Sequence, residues 1–197
     1  MQTHTRRLGP KLGITAAALL LFTGILSVTA MGLLTDSDLV PANAFTTGSV
    51  SLTTSPTTGV VTFTGMVPGD QVTAPLTVTN NGSAALRYAV TSSTTENVLA
   101  TQLALTVKTG VASCTTAGFA ATGTVVYGPA PLGNMVPLAI IGNTAQGAQA
   151  GDRTLAPAAN EALCFNVSLP LATGNTFQNL ATTATFTFAS EQTANNP

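Results

Sequence analysis

Residues 66–92, MVPGDQVTAPLTVTNNGSAALRYAVTS, carry the clearest structural signal in this chain of 197 residues. Apolar side chains occupy every second position before and after a polar break; they are Val72, Ala74, Leu76, Val78, Ala84, Leu86, Tyr88 and Val90. A period of two is typical of β-strands that bury one face. The stretch therefore predicts two half-buried strands.

The polar break, Asn80, Asn81 and Gly82, predicts how these two strands connect. A two-residue turn would place polar residues of one strand opposite apolar residues of the other. A loop of all three residues instead pairs Leu76 with Leu86, so that apolar faces match. Gly82 is able to adopt the left-handed backbone that such a loop needs. We therefore predict a β-hairpin closed by a three-residue loop.

Similar alternation recurs along the chain in short segments separated by turn residues. Strand patterns occur near Leu52 and at 61–63, 103–107, 125–127, 135–141, 161–169 and 182–188. About eight short strands with almost no helical pattern predict an all-β fold. We expect a two-layer antiparallel β-sandwich that is jelly-roll-like, with an immunoglobulin-like sandwich as the alternative.

The first 30 residues resemble an export signal peptide. Three basic residues within the first eleven positions precede an uncharged run at 12–34, and cleavage between Ala30 and Met31 fits the small-x-small rule. An uncleaved membrane anchor at 12–34 is the competing interpretation, because that run is long enough to span a bilayer. Paired arginines leave export by Sec or Tat open. The mature chain would be secreted or lie at the cell surface, and would meet the membrane only through this segment.

Downstream of the cleavage site we predict an extended N-terminal arm at 31–48 and a β-sandwich domain at 49–197. The domain would contain an irregular insertion at about 110–160, where Gly, Ala, Thr and Pro are frequent. From position 31 onward there are three basic and seven acidic residues, a net charge of −4. Nucleic-acid binding is disfavoured, because no basic stripe is present to displace counterions from phosphates.

Cys114 and Cys164 are the two cysteines of the chain. An exported chain meets an oxidising environment, so the pair predicts a disulfide. A reactive or metal-binding thiol would need a histidine or further cysteines, and the sole histidine, His4, precedes the cleavage site. The bridge would hold the segment 115–160 against the outside of a sheet.

Three parts of the sequence carry a resemblance to a known family. They are TDSDLVPANAFTTGSVSLTTSP at 35–56, VPGDQVTAPLTVTNNGSAALRYAV at 67–90, and ATGNTFQ at 172–178 followed by TATFTFASEQTANNP at 183–197. These segments resemble the TasA/camelysin family of exported bacterial proteins, whose signal peptide is processed by a SipW-type signal peptidase. The resemblance extends over nearly the whole chain and rests on dispersed motifs.

The resemblance implies a subunit of a biofilm matrix or a cell-surface fibre with a jelly-roll domain. Fibre-forming relatives insert the mature N-terminal arm as a strand into the next subunit. In this chain the arm at 31–48 would then be the donor, with a donor strand that contains Asp36, Leu39, Val40, Ala44 and Phe45. A gap in the sheet would be the acceptor. The implied partners are other copies of the chain or related matrix subunits, and the signal peptidase during export.

The camelysin name also implies a metallo-endopeptidase, which the residues disfavour. A zinc protease of that kind needs two histidines one helical turn apart and a glutamate base. The chain has no HExxH motif and no histidine after His4. We therefore predict a protein that is not an enzyme, with no catalytic residue, cofactor or metal site. A monomeric surface adhesin or ligand-binding β-sandwich is the alternative, with the segment at 110–160 as its candidate binding surface.

Overall fold

The computed structural model describes residues 47–61 and 65–197, and within them two antiparallel sheets pack face to face. The strands are β1 Leu52–Ser55, β2 Gln71–Asn80, β3 Leu86–Thr94, β4 Ala104–Thr109, β5 Thr124–Pro131, β6 Leu138–Ile141, β7 Arg153–Leu155, β8 Asn160–Ser168 and β9 Ala184–Gln192. The same residues contain one α-helix, α1 (Thr116–Ala121), and a short 3₁₀ helix, Asn175–Phe177. The predicted all-β, two-layer antiparallel sandwich is confirmed.

The two sheets are built around β8 and β3. The first sheet has the strand order β1-β2-β8-β4-β5. In the second sheet β9 pairs with β3 along its whole length, from Leu86↔Gln192 to Thr94↔Ala184, while β6 and β7 pair with its two ends on the other side. The pairs β2–β8 and β3–β7 are nested along the chain, as in a jelly roll.

The core lies between the sheets and consists of the alternate apolar residues of β2, β3, β4 and β8. They are Leu76, Val78, Leu86, Tyr88, Val90, Leu105, Val107, Leu163, Phe165 and Val167. Phe165 of the first sheet contacts Phe186 of the second, with ring centroids 5.0 Å apart. Because each fully buried side chain of this size contributes about 1.5–3 kcal/mol, this layer is the main source of stability.

The predicted hairpin between β2 and β3 is wrong, although both strands exist. β2 pairs with β1 and β8, whereas β3 pairs with β6, β7 and β9, so the two strands lie in different sheets. Asn80, Asn81 and Gly82 begin a corner between the sheets. A hairpin and a corner show the same alternation, because in both cases each strand buries one face in the same core.

Asn80 and Gly82 explain why the chain turns this corner. The buried Asn80 Nδ2 lies within hydrogen-bond distance, 2.9 to 3.2 Å, of three backbone carbonyl oxygens, those of Ala84, Leu155 and Ala156. Its Oδ1 accepts a hydrogen bond of 2.9 Å from the Gly82 N–H. The left-handed conformation expected of Gly82 is not observed. Glycine is needed there for another reason: a Cβ would lie 2.3 Å from the carbonyl oxygen of Ser49.

The segment at 110–160 is more regular than the sequence indicated. It contains α1, β5, β6 and β7. The strand patterns at 125–127 and 135–141 correspond to β5 and β6, whereas β7 has three residues, which is too short for a period of two to be recognised. The interpretation of this segment as an irregular insertion is therefore corrected.

Cys114 and Cys164 form the predicted disulfide, with their Cα atoms 5.6 Å apart. Cys164 lies on β8 between Leu163 and Phe165 and points to the opposite face, so the bridge fixes the residues before α1 to the outside of the first sheet. Lys108 holds the same helix, because its Nζ donates a 2.6 Å hydrogen bond to the carbonyl oxygen of Phe119. A disulfide of this kind persists in oxidising compartments.

Several sequence predictions concern residues outside the described part of the chain. They are the signal peptide at 1–30, its cleavage between Ala30 and Met31, the anchor at 12–34, and the donor-strand residues Asp36, Leu39, Val40, Ala44 and Phe45. Most of the strand predicted at 61–63 also lies outside it. Among the described residues, no helix has the length and apolar character to cross a membrane.

We expect Gly82→Ala to lower the free energy of unfolding by about 1–3 kcal/mol, because its Cβ would meet backbone atoms of Ser49 and Ser51. Gly174→Ala is the matched control, since nothing lies within 4 Å of the position of its Cβ. Urea unfolding of both variants measures the difference. Equal stabilities would contradict the close backbone approach at the corner.

We expect replacement of Cys114 and Cys164 by serine to lower the free energy of unfolding by about 4 kcal/mol, because the bridge closes a loop with a sequence separation of 50. Urea unfolding of the double variant and of the oxidised wild type measures this loss. The wild type in the presence of a reductant is the control and should resemble the variant. A loss below about 1 kcal/mol would contradict a stabilising role for the bridge.

Candidate functional site: a groove between the two sheets

A groove of about 460 Å³ opens between the sheets on the side where β2 and β9 face each other. Its walls are apolar and come from both sheets and their loops: Val72, Leu76, Leu103, Leu132, Val167, Ala184, Phe186 and Phe188. Threonines of β1, of β9 and of the loops beside these strands also line it: Thr54, Thr57, Thr58, Thr182, Thr183 and Thr185. None of the described lining residues is charged.

Two strand edges without a partner strand, among the described residues, border this groove. β1 pairs only with the second half of β2, from Leu52↔Asn80 to Ser55↔Thr77, so residues 71–76 have β8 on one side alone. β9 likewise pairs with β3 alone. An unpaired edge presents a row of N–H and C=O groups with which another strand can pair.

Two prolines account for the unpaired edge of β2. Pro56 follows the last residue of β1, and because proline has no N–H to donate to a ladder, β1 ends halfway along β2. Pro75 lies within β2, in the half that β1 does not reach. Proline inside a strand is typical of sheet edges. Pro75 is thus the sequence signal from which this edge could have been recognised.

Ion pairs gather at the end of the sandwich near Gly82, away from the groove. Arg87 Nε lies 3.0 Å from Glu191 Oε1, and both residues border a small cavity of about 80 Å³. The second pair joins the Arg153 guanidinium to the Glu161 carboxylate. Within the described residues, no group of three metal-ligating side chains lies together. What the groove itself offers to a ligand is apolar surface, threonine hydroxyl groups and backbone hydrogen-bonding groups.

The Tyr88 hydroxyl group belongs to the second ion pair and is almost inaccessible to solvent. It donates a 2.6 Å hydrogen bond to Glu161 Oε2, and the residue is 1% exposed. Burial raises the pKa of Tyr88 far above its usual value, and the hydrogen bond to the negatively charged Glu161 raises it further. The same carboxylate raises the pKa of Arg153 by accepting its hydrogen bonds. The network keeps its charges paired beside the core.

The residues singled out from the sequence lie elsewhere. The disulfide of Cys114 and Cys164 is on the outer face of the first sheet, and the corner at Asn80, Asn81 and Gly82 is at one end of the sandwich. Neither of them lines the groove. The resemblance implied an acceptor gap in the sheet, but the position and lining of the groove were not predicted, because it lies where two strands far apart in sequence do not pair.

Comparison of the chain with models of known protein families gives no match, and comparison with curated proteins gives none either. The groove, the described surface and the sequence are the features of the chain that bear on its function.

We expect the free energy of unfolding to fall by about 1 kcal/mol between pH 10 and pH 11 because of Tyr88. The ordinary tyrosine pKa is about 10, so in this range the unfolded chain loses the phenol proton while the folded protein keeps it. Stability contributed by the neutral phenol is present below about pH 10 and is lost as pH rises. Urea unfolding at the two pH values should show this fall in the wild type.

The variant Tyr88→Phe should remove most of this fall. The matched control is Tyr127→Phe, because Tyr127 is partly exposed and its pKa is raised only by burial. The control should keep the fall that Tyr88 causes. Parallel pH profiles for Tyr88→Phe and the wild type would contradict the assignment.

Proposed function

We propose that the protein is a secreted structural subunit that assembles into fibres by strand donation. The arm at 31–48 of one copy fills the groove of the next copy. The observation that carries this proposal is the groove, which has no charged residue in its described lining and lies between two strand edges, one on β2 and one on β9, that are unpaired among the described residues. The resemblance to the TasA/camelysin family supports the same function, with a biofilm matrix or a cell-surface fibre as its setting.

The groove suits an extended strand. A strand laid along it pairs its backbone with residues 71–76 of β2 and with β9, and each hydrogen bond contributes about 0.5–1.5 kcal/mol. Its side chains cover Phe186 and Phe188, which are only partly buried in the described chain. Backbone pairing supplies affinity, and the shape of the apolar wall selects the side chains.

The arm has the composition that such a strand needs. Residues 39–48 form an uncharged run of ten residues, which spans about 33 Å when extended and is long enough to cover residues 71–76 of β2 and the nine residues of β9. Apolar side chains occur on both faces of this run, with Leu39 and Phe45 on one and Val40 and Ala44 on the other. Apolar residues on both faces are typical of a strand that is covered on both sides.

A monomeric ligand-binding sandwich is the second candidate. The groove volume of about 460 Å³ lies in the range of small-molecule sites, and its mixed wall of apolar and threonine side chains resembles theirs. The two candidates differ in their assembly state. Strand donation requires polymers, and a ligand-binding monomer does not.

We expect the processed protein to form filaments and the variant that lacks residues 31–45 to stay monomeric, because the deletion removes the donated strand. Electron microscopy and analytical ultracentrifugation measure both. A synthetic peptide of residues 31–48 should bind the deleted variant, whose residues 46–197 form a compact unit. Unchanged filaments after the deletion would show that the arm is not the donor.

A pair of lysine variants tests whether the arm occupies the groove. Ala184→Lys places a charge on the apolar wall and should weaken peptide binding at least about tenfold, or roughly 1.4 kcal/mol. Thr187→Lys is the matched control, because Thr187 is exposed on the same strand and does not line the groove. Equal affinities for the two variants would place the arm elsewhere.

A further inference from the structure

Six of the eight exposed large apolar side chains in the described residues lie at one end of the sandwich. They are between 42% and 81% exposed: Val67, Val98, Met135, Val136, Leu171 and Leu180. We call this surface the apolar end. Exposed apolar patches of this kind mark sites of interaction.

The pairing of the strands brings these six residues together. The loops that carry them adjoin one end of the pairs Gln71↔Ser168 and Thr94↔Ala184. Hydrogen bonds then join loop to loop: Gly69 N–H to the Leu169 carbonyl at 2.8 Å, Met135 N–H to Asn97 Oδ1 at 2.6 Å, and Thr95 N–H to the Thr183 carbonyl at 3.1 Å. The strand pairing and these hydrogen bonds therefore fix the positions of the six apolar residues.

The charge of the apolar end favours a protein partner over a membrane. Its two carboxylates, Asp70 and Glu96, accept hydrogen bonds from nearby backbone N–H groups. The basic residues of the described chain lie toward the other end of the sandwich, which is formed around Ser49 and Gly82 and which we call the opposite end. They are Arg87, Lys108 and Arg153. Binding to an anionic lipid surface depends on basic residues beside the apolar ones, and this end has none among the described residues.

The described chain begins close to Ser49, and this limits where the subunit that accepts the arm can lie. Ser49 is bound to the opposite end, since its carbonyl oxygen accepts from the Ala84 N–H at 3.1 Å and its own N–H donates to Ser83 Oγ at 3.0 Å. The arm ends at Gly48, next to Ser49, and the last of its proposed donor residues is Phe45, so at most four extended residues, or about 14 Å, separate the donated strand from Ser49. The groove of the acceptor must begin within that distance.

The groove opens at the apolar end. Met66, Leu103, Leu132 and Thr182 line it and belong to the loops that form the apolar end. If two copies met through their opposite ends, related by a two-fold axis, the mouth of each groove would lie about 33 Å from the contact, which is the length of β2. That distance is beyond the reach of the arm. Contact of the apolar end with the opposite end brings the mouth within reach.

We propose that the apolar end docks onto the opposite end of a second copy of this chain, the end formed around Ser49 and Gly82. This inference rests on the proposed function and adds the surface that aligns the subunits. Val50, which is 40% exposed at the opposite end, supplies an apolar side chain to the contact. Because two different surfaces meet, the contact is heterologous, which is the kind of contact that extends into a filament when the rotation between copies does not close a ring.

The test compares two double variants of the full processed chain. Val136→Glu with Leu171→Glu places charges on the apolar end, and Ala162→Glu with Thr187→Glu places the same charges on exposed strand positions along the sides. Sedimentation gives the protein concentration needed for filaments, and the affinity for the 31–48 peptide is measured in each variant without residues 31–45. We expect the first variant to need at least about ten times more protein, with peptide affinity unchanged. The second should match the wild type.

Four results would overturn the inference, and they separate it from the proposed function. Arm-dependent filaments that form equally well in the first variant exclude the docking surface alone. A wild type that forms no filaments excludes both proposals. Loss of peptide binding in the first variant would mean that the apolar end acts by shaping the groove. Wild-type binding to anionic phospholipid vesicles that is lost in the first variant, with unchanged filaments, would assign the surface to a membrane.

Discussion

The buried amide of Asn80 is the interaction on which the architecture depends. A buried amide must find hydrogen-bond partners, and Asn80, with no exposed surface, binds backbone groups on both sides of the corner. Gly82 allows the backbone of Ser49 to approach. The corner sends β3 into the second sheet, so that within the described residues β1 is the only strand that pairs with the outer edge of β2. Since β1 ends at Ser55, half of that edge stays unpaired within the described chain.

Unpaired strand edges are a hazard that most β-proteins reduce with charges, especially lysine. Here β2 contains no charged residue, and in β9 the one charged residue is Glu191, close to its end. Charged residues make up only 7% of the chain. A protein that must stay monomeric would be expected to protect these edges. Among the described residues Pro75 is the one feature of this kind on the β2 edge, and the near absence of charge on both edges fits a subunit that pairs with a strand from another chain.

The two ends of the sandwich differ in chemical character. Near Gly82 the ion pairs of Arg87 with Glu191 and of Arg153 with Glu161 neutralise charge beside the core. At the other end, the loops expose apolar side chains, and their carboxylates are bound to nearby backbone N–H groups. Both ends follow from the same strand pairing, which places one set of loops at each. A molecule with unlike ends is suited to heterologous contacts, which extend in one direction.

The sequence by itself determined the all-β class, the course of β2, β3, β4, β8 and β9, and the disulfide. Alternation with a period of two is local and occurs in any β arrangement, and each of the two cysteines of the chain has only the other as a partner for a disulfide. Only the tertiary structure decided that β2 and β3 lie in different sheets, that β7 exists, and where the groove and the apolar end lie. These features depend on which distant segments of the chain pair with each other. The hydrogen bonds of a sheet join backbone groups, so the residues of a strand do not by themselves specify its partner strand.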